Sequence, residues 1–142
     1  MEEQIYKISN QDSFELKDIF ECGQCFRWNM NQDNSYTGVI KNGILNVNKL
    51  DENIIFKGFL NDDIKNIVEK YFDLQRDYTN IKLKLANVDE YLKQSIEFGK
   101  GIRILNQDLW ETIISFIISQ NNNIPRIKGI IEKLSKKYGK EI

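Results

Sequence analysis

Three features of this 142-residue chain carry side chains or backbone that could do chemistry. The first is Gln120-Asn121-Asn122-Asn123-Ile124-Pro125-Arg126, a run of amides closed by a guanidinium, which suits reading the edge of a nucleobase. Turn chemistry explains part of it: Asn123 is a good helix cap, and Pro125 fits the first turn, where its missing N–H is harmless. That leaves Asn121 and Asn122 without a structural task, and Arg126 either to join the basic helix face or to read a base. The second feature is Cys22-Gly23-Gln24-Cys25. A C-x-x-C can be a redox pair or half a zinc site, but the chain has no other cysteine and no histidine, so a zinc set cannot close. The pair also leads into a strand-like segment rather than opening a helix, the setting that lowers a thiol pKa. Two reduced thiols near a core are expected. The third feature is Gly23 itself, because a glycine entering a strand marks either a bend or a close approach of backbone to a ligand.

The absence of histidine excludes Ser-His-Asp and Cys-His catalysis. With 41% hydrophobic and 29% charged residues, the composition is that of a soluble globular protein of one domain or slightly more. Acids and lysines interrupt residues 1–20, so no secretory signal is read there, and the apolar run Ile113 to Ile118 is too short to span a bilayer. A cytoplasmic protein is expected, nucleoid-associated if the cell is prokaryotic. The net charge of −1 is uneven. Residues 121–142 hold six bases against two acids, a local +4, which leaves −5 on the remainder. A basic terminal helix on an acidic body is compatible with nucleic acid, and equally with a solvated helix face.

The elements that must position these residues follow from periodicity. Residues 12–60 read as an antiparallel meander. Phe14 and Leu16 alternate with acids, Phe26-Arg27-Trp28 is a short aromatic strand, and Tyr36, Gly38 and Ile40 share a face. Ile44, Val47 and Ile54-Ile55-Phe56 supply two more strands, with Asn42-Gly43 as a two-residue hairpin turn. Helical spacing then takes over. The expected helices are 62–72 capped by Asn61, 78–86, 89–98 closed by Gly99, 107–119, and 124–138 capped by Asn123. Helix 107–119 is apolar on nearly every side and is expected to be central and buried. Only one helix follows to cover it, so the chain is expected to be a fragment.

Cys22-Gly23-Gln24-Cys25-Phe26-Arg27-Trp28, Tyr36-x-Gly38-Val39 and the run from Ser115 to Ile127 together resemble the 8-oxoguanine DNA glycosylase family. The patterns G-Q-x-F-R-W and S-F-I-x-S-x-N-N-N-I-x-R-I stand in the right order and at about the right separation. The resemblance covers essentially the whole chain. It implies an α+β fold: a TATA-binding-protein-like N-terminal domain over residues 1–105, then the first helices of an all-α helix-hairpin-helix domain over 106–142. It also implies a base-excision-repair glycosylase and AP lyase that flips 8-oxoguanine from duplex DNA, displaces it with a lysine and cleaves the strand through a Schiff base.

The resemblance assigns roles residue by residue. Gly23 would read the lesion through its carbonyl, Asn121 and Arg126 would read the orphaned cytosine, and Asn122 would support them. It implies no catalytic residue in this chain, because the family's lysine and aspartate lie further on; none of Lys128, Lys133, Lys136, Lys137 or Lys140 stands in the matching context. No cofactor and no metal are implied. The implied partner is double-stranded DNA containing 8-oxoguanine, with no membrane. The whole enzyme is expected to be a monomer, and the isolated fragment to self-associate through the apolar flank of helix 107–119. Rival readings are an alkylpurine glycosylase of the same superfamily and a non-catalytic DNA-binding or interaction module.

Overall fold

The computed structural model describes residues 2–9, 11–41 and 43–142. The expected α+β class is what these residues form. Strands β2 (Trp28–Met30), β3 (Tyr36–Ile40), β4 (Gly43–Leu50) and β5 (Asn53–Leu60) make an antiparallel meander, and β1 (Glu3–Ser9) adds to its far edge, in the order β1-β5-β4-β3-β2. Strand β1 falls outside the segment read as β structure. Its Gln4, Tyr6 and Ile8 turn partly inward while Ile5 stands outside, so apolar residues on both faces blur the alternation. Its partner is also remote, with Tyr6 paired to Phe56.

On the buried face a period of two holds: Tyr36, Gly38 and Ile40 from β3, Leu45 and Val47 from β4, Ile54, Phe56 and Leu60 from β5. Ile44, read only as part of a strand, is half-buried on the other face. Register explains this. Gly43 already pairs with Ile40, so it belongs to β4 rather than to a turn, and Asn42 lies outside the described residues. Phe26 and Arg27 precede β2 rather than belonging to it. Trp28 pairs with Gly38, and a Cβ at Gly38 would fall 2.3 Å from the indole. Glycine there lets the ring lie across β3, where Phe20 stacks on it with centroids 4.2 Å apart.

Two helices close that face. The segment containing Leu16 is not a strand but helix α1 (Leu16–Phe20), whose Leu16, Ile19 and Phe20 are all buried. Five residues are too few to display a helical period among interleaved acids. Helix α2 (Ile64–Tyr71) starts two residues later than expected, because Asp63 rather than Asn61 is the cap: its carboxylate accepts from the Asn66 N–H at 2.9 Å. Val68 and Phe72 enter the core from this side, and Phe72 meets the rings of Phe14, Phe20, Trp28, Phe56 and Tyr71. Burying each such side chain stabilises by roughly 1.5–3 kcal/mol.

Helices α3 (Tyr78–Ala86) and α4 (Glu90–Phe98) follow as expected, the latter capped by Asp89 and ended at Gly99. The chain then returns across the core as a strap, residues 101–107. Its Arg103 is 1% exposed and donates to the carbonyls of Phe72 (3.3 Å), Asp73 (2.6 Å) and Asp12 (3.0 Å). Beyond the strap, helices α5 (Leu109–Ser119) and α6 (Ile124–Tyr138) pack on each other. Helix α5 begins at Leu109, since Asp108 caps it through the Glu111 N–H at 3.1 Å. It is not buried in this chain. Only Ser115 is fully covered, while Leu109, Trp110, Phe116 and Ile117 stand in solvent, because among the described residues α6 alone packs broadly along it. No helix among the described residues is long and apolar enough to cross a membrane.

Candidate nucleic-acid interface

The loop after α1 carries Gly23. Its φ of +87° is a left-handed conformation that a side chain rarely adopts, which accounts for glycine there. The flanking thiols point back at the end of α1, Cys22 Sγ to the Ile19 carbonyl at 3.5 Å and Cys25 Sγ to the Phe20 carbonyl at 3.9 Å. Both cysteines are free. Burial pushes the Cys25 thiol up to about 12, the reverse of what a reactive pair requires. Among the described residues no three of His, Cys, Asp and Glu cluster to hold a metal ion.

The asparagine tract forms the corner between α5 and α6, and each amide has a different place. Asn122 Nδ2 donates to the Ile118 carbonyl at 3.0 Å, and its Oδ1 accepts from the Asn123 N–H at 3.0 Å, so it closes the end of α5. Asn123 Oδ1 accepts from the Arg126 N–H at 3.1 Å and caps α6, with Pro125 in the first turn. Asn121 takes a positive φ of 50°, a conformation asparagine tolerates better than most residues. The side chains of Asn121 and Arg126 are exposed and have no hydrogen-bond partner among the described residues. Two amides hold the corner; one amide and one guanidinium are free.

The two loops meet. A Cβ placed on Gly23 would lie 3.7 Å from Ile124 Cδ1, the first residue of α6. A glycine and a tract separated by about a hundred residues thus share one surface, and among the described residues no group donates to the Gly23 carbonyl. Helix α6 is fixed there by Ile127 and Ile131, both buried, and by Lys128, whose ammonium donates to the Trp28 carbonyl at 2.6 Å. Helix α5 is fixed by Glu111 on Arg27 at 3.3 Å and Asp108 on Lys41 at 3.4 Å. Burial raises the Glu111 carboxyl, and the neighbouring Arg27 opposes that. A groove of about 610 Å³ lies instead under the far half of α6, between Arg27, Lys128, Glu132 and Lys136, and touches neither Gly23 nor Asn121 nor Arg126.

Sequence reasoning missed two residues here. Lys128 was only one of several bases, and nothing in its spacing reveals that it reaches a β2 carbonyl. Gln24 stood inside a motif, yet its side chain had no task. Its Nε2 donates to the carbonyls of Ile19 (2.9 Å) and Arg103 (2.8 Å), and its Oε1 accepts from the Leu105 N–H at 3.0 Å. Its own carbonyl accepts from Gln107 Nε2. A glutamine beside a glycine gives no local sign of such distant partners.

Comparison with known proteins identifies the family to which this fold belongs. The family model described as 8-oxoguanine DNA glycosylase, N-terminal domain, matches residues 6–113. The N-glycosylase/DNA lyase of Saccharomyces cerevisiae is 31% identical over 147 aligned positions, covering 92% of this chain and 38% of that protein. The apo crystal structure of Clostridium acetobutylicum 8-oxoguanine glycosylase/lyase superposes with a TM-score of 0.89 at 45% identity, covering 99% of this chain and 50% of that one. The same enzyme in complex with double-stranded DNA containing cytosine opposite 8-oxoguanine gives 0.87 at 43% identity, covering 98% and 50%. Fold and motifs together are those of the front half of a DNA base-excision glycosylase. The chain belongs to the 8-oxoguanine DNA glycosylase family. It spans about half the length of these solved relatives and 38% of the yeast one.

Proposed function

We propose that this chain is the N-terminal part of a glycosylase and AP lyase that removes 8-oxoguanine opposite cytosine, and that it supplies recognition rather than chemistry. The observation that carries the reading is the meeting of Gly23 with the N-terminus of α6, beside the free side chains of Asn121 and Arg126. Guanine presents an acceptor at N7, whereas 8-oxoguanine carries a hydrogen there. An unengaged Gly23 carbonyl accepts that hydrogen and repels the lone pair of normal guanine. One such bond contributes roughly 0.5–1.5 kcal/mol, and the unsatisfied alternative costs about 1–3, so further contacts must complete the discrimination. Flipping leaves cytosine unpaired, with adjacent acceptors at O2 and N3 that suit the Arg126 fork, while Asn121 enters the space of the lost base. Asn122 supports both by closing α5.

The same reading divides the chain into an N-terminal domain, residues 1–105, and the start of the helical domain, 106–142. It places the protein on duplex DNA, in the cytoplasm or at the nucleoid. It assigns no nucleophile here: Lys128, the lysine nearest the corner, is engaged by the Trp28 carbonyl. Borohydride trapping on an 8-oxoguanine:C duplex tests this. The complete gene product is expected to excise the base and give a covalent adduct, while residues 1–142 alone give none. An adduct with the 142-residue chain would place a nucleophile in it, and absence of excision by the complete product would refute the assignment.

A further inference from the structure

A carbonyl discriminates only if it points in one direction, so whatever fixes the Gly23 peptide takes part in recognition. The left-handed φ at Gly23 gives the loop its shape but not its rigidity, since glycine adopts many other conformations at little penalty. Rigidity has to come from the neighbours. Cys22 makes one weak contact to Ile19, and Ile124 offers only an apolar surface. Gln24 differs. Its amide addresses Arg103 O and Leu105 N–H together, as an adjacent strand would, while its second amide hydrogen holds the end of α1.

We propose that Gln24 is a positioning residue, setting the direction of the Gly23 carbonyl by locking the loop to the strap at residues 103–107. The strap is a firm anchor. Arg103 is held by three carbonyls, the Asn106 N–H reaches the Tyr71 carbonyl at 2.8 Å, the Ile104 N–H reaches the Tyr78 hydroxyl at 3.1 Å, and Leu105 is buried. The lock acts on both sides of the Gln24 backbone, because Gln107 donates to the Gln24 carbonyl while the side chain reaches back along the strap. A rotation of the Gly23 peptide must therefore break several bonds at once. The assignment rests on the lesion-reading role of Gly23 proposed above.

The test is a double-mutant cycle on the complete gene product, read as the affinity ratio between 8-oxoguanine:C and G:C duplexes. Gln24→Met keeps length and volume and removes every side-chain hydrogen bond. It is expected to lower the ratio about ten-fold, the worth of the one carbonyl–N7 hydrogen bond that it misdirects, while the salt dependence of binding stays unchanged. Gly23→Ala is also expected to lower the ratio, and the double variant to be no worse than Gly23→Ala, because the two residues act through one carbonyl. If Gln24→Met does not fold, Gln24→Glu carries the same comparison: it keeps the acceptor for Leu105 and has no hydrogen for Ile19 or Arg103. A lowered melting temperature with an unchanged ratio, or independent multiplying losses, would overturn the positioning role and leave the glycosylase reading standing. A wild-type protein with no preference for the lesion would overturn the reading itself, and the positioning role with it.

Discussion

At the scale of single residues, exposure and proton affinity decide what each group can do. Cys22 is exposed and Cys25 is buried with its thiol raised to about 12, so at pH 8 Cys25 has almost no thiolate. Iodoacetamide is expected to modify Cys22 alone in the folded protein and both cysteines in urea, as peptide mass mapping would show; equal labelling of the two in the native state would contradict that burial. Arg126 has no partner within the described residues, so its removal leaves no orphaned group. Arg126→Ala is accordingly expected to leave the melting temperature within a degree or two and to weaken binding opposite cytosine by roughly ten-fold or more, the scale of a charged hydrogen bond. A loss identical for all four opposite bases would show that it serves the backbone instead. Gly23, Asn121 and Arg126 were legible as candidates because they lie in contiguous runs. Gln24 was not, since all that distinguishes it is a set of partners on distant segments.

At the scale of elements, caps are the most exposed points of control. Asp108 opens α5, and its carboxyl is held below the ordinary carboxylate range by the Glu111 N–H first, with Lys41 adding to the effect and desolvation opposing it. A depressed acid contributes stability that is present above its unfolded value and lost as pH falls through the folded one. Helix α5 is therefore expected to fray on acidification below about pH 4, seen as faster amide exchange at Trp110 and Glu111. Asp108→Asn keeps an acceptor without the titration and should flatten that profile; an unchanged profile would assign the acid sensitivity elsewhere. The Asn123 start of α6 was legible to the residue because capping is a matter of three or four neighbours, whereas the Asp63, Asp89 and Asp108 caps of α2, α4 and α5 were not read. Strand β1 was invisible because its identity lies in β5, and α1 because one turn of helix has no period to show.

For the molecule as a whole, the exposed apolar surface of the second helical pair lies on α5 and the surplus of bases on α6. Helix α5 exposes Leu109, Trp110, Phe116 and Ile117, and a face of that kind favours pairing with a second copy when the 142-residue chain stands alone. Sedimentation is expected to show concentration-dependent association that Trp110→Asp abolishes, and a strictly monomeric wild type would refute it. The expectation of a buried α5 failed for a reason that belongs to this scale: an all-round apolar pattern states what a helix needs, not which segment supplies it. Helix α6 holds one more consequence. Lys128 rests on the Trp28 carbonyl four residues from the start of a helix that extends ten residues beyond it. At 1.5 Å per residue this makes a lever with a short arm of about 6 Å and a long arm of about 15 Å. A shift at the lysine-rich far end reaches the asparagine corner reduced by more than half. Removing the fulcrum with Lys128→Met should quicken amide exchange at Arg126 and Ile127 more than at Lys136 and Lys137, whereas uniform quickening along α6 would mean that no pivot exists.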